Sequence, residues 1–345
     1  MKKWLGFLVI VCILLGGCND RNHSSEQTAP DEHESPSDDN EQSGEKDKVE
    51  EAKTYPLTGL EAEGDVNQRV IAAVINNSPA ARPQSGLLEA DMVYEVLAEF
   101  EVTRFVALYQ SQQPERIGPI RSARPYFVDL ADGYEALMVI HGWSPAAETV
   151  LTTGTTEYLN GISYDGTLFE RYAGRKAPHN SYLNWQQFLE GVELEQLSLE
   201  AEVEPLTFLE DNETVEGIEA QDITINYLNL YDVHYRYDES QASYTRHNNQ
   251  QTVDYETGEA IEVSNLFIIE AEHEILDQAG RRAVDLESGG KALLIHRGKM
   301  QELEWVNEGG RILPIKNGEI IPFAKGQTWI NIIPHSPGIS GSVAY

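Results

Sequence analysis

Cysteine is almost absent: the 345 residues hold two, Cys12 and Cys18. Cys12 lies inside an apolar leader and Cys18 at its end, so the mature chain has no pair to bridge. Cysteine-ligated zinc sites and cysteine nucleophiles are excluded with it. Positive charge is scarce as well, with 25 Lys and Arg against 57 Asp and Glu and a formal charge of −32. That balance disfavours nucleic acid as a partner, because such binding draws on counterions released to basic surfaces. His-Glu-x-x-His, an EF-hand loop, a P-loop, a dinucleotide fingerprint and Gly-x-Ser-x-Gly are all missing. No metal and no cofactor is expected, and no repeat of solenoid period is visible.

What is present begins with Met1-Lys2-Lys3, an apolar run over 4–15 and then Leu15-Gly16-Gly17-Cys18. A charged end, a short apolar core and small residues before a cysteine make a secretory signal over 1–17, too short to span a bilayer durably. The last four residues resemble a bacterial lipobox, which implies cleavage before Cys18 and lipid on its thiol. Residues 18–54 are acidic and polar, with Pro30, Pro36 and Gly44, and carry too little apolar surface to offset the entropy of ordering. They read as a disordered tether of roughly 30 Å reach.

Residues 55–215 read as an α/β layered domain. The apolar run 70–77 suits a strand buried on both faces, and 92–97 with 104–109 suit a hairpin. Phe127, Leu130, Ala131 and Tyr134 recur at helical spacing behind Pro125, and Ser144-Pro145 is a helix start. Between the hairpin and the first helix lies Gly118-Pro119-Ile120-Arg121-Ser122-Ala123-Arg124. Two arginines at a strand-to-helix junction are suited to a phosphate or carboxylate, or else they pair with acidic neighbours and lock a turn. Loops at the carboxyl ends of strands form the crevice in such sheets, so Arg121, Arg124, His141 and Ser144 are expected on one rim. Arg171, Arg175, Lys176, His179 and Asn180 form a second basic patch, which either faces the same cleft or is a solvated loop. Residues 216–345 carry short strands with regular turn signals and read as a smaller, β-rich domain.

Several segments carry a resemblance: Ala81-Arg82-Pro83-Gln84-Ser85-Gly86-Leu87, Ala90-Asp91-Met92-Val93-Tyr94-Glu95, Thr103-Arg104-Phe105, the arginine motif, Ala177-Pro178-His179-Asn180 and Gly326-Gln327-Thr328-Trp329-Ile330. In this order, over residues 55–334, they are similar to the YerB-like bacterial lipoprotein family. The resemblance implies a Gram-positive, palmitate-bearing lipoprotein with two successive domains of unestablished function. It also implies a glycine-rich turn after the Tyr-Glu strand, where this chain has Glu99-Phe100-Glu101.

The ligand-binding candidates are therefore Arg82, Arg104, Arg121, Ser122, Arg124, His141, Arg171, Arg175, His179 and Asn180. The pairs Asp91 with Glu95 and Asp254 with Glu256 read as strand-edge charges or arginine partners. Ser122 or Ser144 with His141 or His179 is a conceivable hydrolase set, although no nucleophile motif surrounds either serine. The expectation is a lipid-anchored protein on the outer face of the cytoplasmic membrane that binds an anionic cell-wall polymer or precursor without turnover. A phosphotransferase or hydrolase acting on a pyrophosphate-linked envelope intermediate is an alternative, and an adaptor for another envelope protein is a third. The residues leave catalysis open.

Overall fold

The computed structural model describes residues 53–228 and 231–345. The expected signal, the lipid site at Cys18 and nearly all of the expected tether lie outside the described residues. The first half supplies β1 (Ile71–Asn76), β2 (Met92–Glu99), β3 (Val102–Tyr109), β4 (Arg116–Ile117), α1 (Pro125–Asp132), β5 (Leu137–Ile140), α2 (Pro145–Thr153), β6 (Tyr158–Asn160), β7 (Glu170–Arg171), β8 (Ser181–Asn184) and α3 (Trp185–Leu194). The second half supplies β9 (Ile218–Glu219), β10 (Asp222–Tyr227), β11 (Tyr231–Asp238), β12 (Ser243–Asn248), β13 (Gln250–Gln251), β14 (Glu262–Val263), β15 (Asn265–Ala271), β16 (His273–Ile275), β17 (Arg282–Val284), β18 (Gly290–His296), β19 (Lys299–Glu308), β20 (Arg311–Lys316), β21 (Glu319–Ile320), β22 (Thr328–Pro334), α4 (Gly338–Ser342) and β23 (Val343–Ala344). Sheet dominates and helices are few.

A twelve-stranded mixed sheet runs in the order β21-β20-β19-β18-β15-β22-β2-β3-β1-β5-β6, with β9 beside β19. Strands from both sides of the expected boundary at 215/216 therefore share one sheet. The seam is β22, which pairs in parallel with β15 on one edge and with β2 on the other. The expected succession of an α/β half and a β-rich half is joined through this one sheet. The apolar runs of the two halves are complementary edges of one ladder.

Alternate residues of β1 supply both faces, as a strand's period of two requires. Ala72 and Val74 join Phe127, Leu130, Ala147 and Leu151, so α1 and α2 cover one face. Ile71, Ala73 and Ile75 join Phe188 and Val192 of α3 and Ile225, Tyr235 and Tyr244 on the other. Those last three belong to a six-stranded sheet, β13-β12-β11-β10-β23 with β14 beside β12, which forms a third layer. Each large apolar side chain so buried contributes about 1.5–3 kcal/mol.

Local signals explain the helices that bound the site. Pro125 opens α1, and Ser144 caps α2 by accepting from Ala147 N at 3.3 Å. The β2–β3 hairpin turns at Phe100-Glu101 with Phe100 at φ +50°, so a non-glycine residue takes the left-handed position. Among the described residues no helix is long and apolar enough to cross a membrane.

Candidate functional site

β1 pairs with β5 only as far as Ala73 and Val139, and beyond that the two strands part. The arginine motif enters the gap. Asn76 N donates to Pro119 O at 2.9 Å, Arg121 N to Val74 O at 2.8 Å, and His141 N to Arg121 O at 3.0 Å. A Cβ at Gly118, whose φ is +154°, would lie 2.6 Å from the Tyr182 ring, so this approach requires glycine. Arg121 is thereby set between the carboxyl ends of two parallel strands, where such sheets bind ligands.

Around it stand two imidazoles whose tautomers follow from their neighbours. His141 Nε2 is 2.8 Å from Arg171 Nη2 and its Nδ1 is 2.7 Å from Ser181 Oγ. Arginine only donates, so Nε2 carries the lone pair and Nδ1–H donates to Ser181. Burial, followed by Arg171, holds this imidazole below its usual pKa. Asn76 Oδ1 accepts from Ser78 N at 3.0 Å, so Nδ2 is the atom facing His179 Nδ1 at 2.7 Å, and Nε2 of His179 carries the hydrogen. Burial, then Arg121 and Arg175, depresses the His179 pKa.

The arginines divide by partner. Arg171 is paired with Asp165 at 2.6 Å and donates to Asn180 Oδ1 at 3.3 Å. Arg121 has no ion pair among the described residues. Its Nη1 reaches only Pro178 O, at 3.5 Å, and its Nε is buried without a partner. Burial, then Arg104 and Arg171, lowers its pKa to about 10, so it stays charged at neutral pH. Ser122 borders the same cluster, its hydroxyl donating to His141 O at 3.0 Å.

Four expected contributors lie elsewhere. Arg104 and Arg124 are buried and share Glu99, Arg104 at 2.5 Å through Nη2 to Oε2 and Arg124 through Nη2 to Oε1. They brace the motif through Ser122 O and Ala123 O instead of lining a rim, which is the turn-locking role that their spacing also allowed. Arg175 donates to Ala81 O and Pro83 O, and Arg82 is held by Asn77 and Asn248. Both fix the turn that follows β1. Of the two candidate nucleophiles, Ser144 serves as a helix cap and Ser122 gives its hydroxyl to the His141 carbonyl, so neither is hydrogen-bonded to an imidazole of the described residues.

Sequence reasoning named Glu95 only as a strand-edge charge or an arginine partner. It is the centre of a buried network, paired with Arg246 at 2.8 Å and accepting from Asn77, Thr103 and Trp329. Arg246 stacks 4.8 Å from the Trp329 ring centroid. An acid within the apolar strand Tyr94-Glu95-Val96 was the available signal. Glu256 pairs with Arg116 at 2.6 Å, and Asp254 accepts from Gly86 N at 2.7 Å. Asp91 accepts from Gln110 N and Ser111 N, a turn-fixing role. Among the described residues no group of three His, Cys, Asp or Glu side chains is placed to hold a metal ion.

Two segments match a family of proteins of unknown function, DUF3048, its N-terminal domain over residues 57–198 and its C-terminal domain over 223–330. A Bacillus subtilis (strain 168) protein named "Putative lipoprotein YerB" is 46% identical over 286 residues, 81% of this chain and 86% of that one. The chain belongs to the YerB-like DUF3048 family. The crystal structure of YerB from Bacillus subtilis superposes on this DUF3048 chain with a TM-score of 0.79 at 44% identity, covering 85% of this chain and all of that one. The family's two segments thus correspond to strands that meet at β22.

Proposed function

We propose that this chain is a lipid-anchored protein of the outer face of the cytoplasmic membrane that binds an anionic cell-envelope component without turnover. The ligand's phosphate or carboxylate would sit against Arg121, with His179, Arg171 and Asn180 around it. One observation carries this reading: among the described residues Arg121 keeps a guanidinium without an acid partner, in a chain whose formal charge is −32. With so many carboxylates available, a cation without an acid partner among the described residues, beside two further basic groups, supports an anion site. The Nδ1–H tautomer of His141 supports binding over catalysis, since its Nε2 lone pair already accepts from the Arg171 guanidinium. Anchoring rests on Leu15-Gly16-Gly17-Cys18 and on the lipoprotein name of the relative.

Titration of purified wall polymer into the protein tests the site. Arg121→Gln should weaken binding at least tenfold, about 1.4 kcal/mol, and unchanged affinity would remove the proposal. Binding should also tighten as pH falls below the usual imidazole range, because protonating His141 and His179 adds positive charge. For the anchor, Cys18→Ala should leave the membrane fraction or remain unprocessed, and normal lipid labelling would contradict it.

A further inference from the structure

Large apolar side chains stand exposed on two neighbouring hairpin tips, Phe100 at 57% between β2 and β3, and Ile275 and Leu276 at 56% each on the β16–β17 hairpin. Hydrogen bonds lock the tips together. Phe100 N donates to Gly280 O at 3.0 Å, and Arg282 donates to Phe100 O through Nε at 3.0 Å and Nη2 at 2.5 Å. Leu276 N donates to Arg281 O at 2.7 Å, and Arg281 in turn bridges to Glu99. The Phe100 backbone is thus committed on both sides while more than half of the residue faces outward. Its φ of +50° is one that a bulky side chain adopts at a cost, and the exposed part of the ring recovers none of that cost within the fold.

We infer that these two tips dip into the headgroup boundary of the bilayer that holds the anchor. The inference rests on the lipid-anchored reading above. Cys18 lies 35 positions before Lys53, the first described residue, a span of at most ~120 Å when fully extended. A bilayer is then an apolar phase always within reach, and aromatic and aliphatic side chains settle at its boundary. Charge at the tips permits the approach. Glu99 faces both Arg104 and Arg124, Asp277 pairs with Arg281 at 3.0 Å, and Glu101 acts on Arg282. The surplus arginine beside Glu99 balances Glu274, so the tips are close to neutral in a chain of formal charge −32. Anionic headgroups repel acidic surface, and this part presents little of it. A protein partner fits less well. Three half-exposed side chains offer on the order of 300 Å², against the ~800 Å² per side that a stable protein interface buries. So small a contact orients a molecule already tethered and would not hold it alone.

The lipidated full-length chain, carried in vesicles of phosphatidylglycerol and phosphatidylethanolamine, decides the matter. With Cys12 removed and Cys18 occupied, Gln278→Cys at the β16–β17 tip or Glu319→Cys in β21, the edge strand of the large sheet, supplies a single thiol for a fluorophore. Nitroxide-bearing lipids should quench the label at 278 roughly threefold or more above the label at 319. Phe100→Asn combined with Leu276→Asn should bring the two labels level and leave the thermal midpoint in place, because asparagine accepts the left-handed position. Equal quenching of the two labels in the otherwise unaltered chain would overturn the inference and leave the tips to a protein partner. That comparison still decides if the double variant does not fold. Should Cys18 prove unlipidated, the anchored reading fails by itself. The same labels in a Cys18→Ala chain mixed with the vesicles then decide, preferential quenching at 278 upholding the membrane contact and its absence overturning it.

Discussion

Arg104 and Arg124 stand within or beside the same motif as Arg121, yet both are committed to Glu99. Removing that carboxylate leaves two buried guanidiniums without a counter-charge. Glu99→Gln should therefore cost roughly 2–3 kcal/mol, discounted for the partial exposure of Glu99, while Arg121→Gln should cost under about 1 kcal/mol. Urea midpoints measure both, and equal losses would show that Arg121 is a structural residue like the others. His296 gives a pH-dependent test. It is 1% exposed, neither ring nitrogen has a partner among the described residues, and burial lowers its pKa to about 4. The unfolded chain takes that proton near pH 6.5 and the folded chain only near pH 4, so its contribution to stability is lost as pH falls between them. The slope reaches ~1.4 kcal/mol per pH unit. His296→Leu should have a flatter stability profile from pH 7 to 5 than the parent, and identical profiles would contradict the assignment. The sequence made the arginine motif visible through its Gly-Pro approach and paired cations. It could not sort the arginines, because Arg246 finds Glu95 across 151 positions and no local pattern encodes such a partner.

Elements with local punctuation were readable. The α2 start at Ser144-Pro145, the α1 stripe behind Pro125 and the β2–β3 hairpin all follow from short-range residue chemistry. Contacts between elements were not. Gly133, at the end of α1, lies so near Gly310 in the β19–β20 turn that an added Cβ would sit 2.3 Å from the Gly310 backbone. Two glycines 177 positions apart carry no mutual signal in a single sequence. Gly133→Ala should push α1 away from that turn and cost about 1–3 kcal/mol, read as a lower thermal midpoint. A variant as stable as the parent would mean that the turn yields freely.

Across the whole molecule, composition announced two β-containing halves but not their fusion, since strand periodicity says nothing about which edge a strand will join. The described residues from 53 onward form one compact unit, and the Glu95–Arg246–Trp329 network draws on the first half, the six-stranded sheet and β22 together. Denaturation should therefore be one cooperative transition. Trp143 and Trp185 report the first half and Trp305 and Trp329 the second, so single-tryptophan variants should give coincident urea midpoints. Separated midpoints would show that the halves melt on their own.

The place of β22 also bears on how the molecule is made. A polypeptide growing from its amino end has extruded more than three hundred residues before the strand that zips β2 to β15 arrives. Until then both ladders end in bare, greasy margins open to stray pairing. Products cut short of residue 328 should thus be sticky and quickly degraded, which makes β22 the late-arriving piece on which the whole sheet waits.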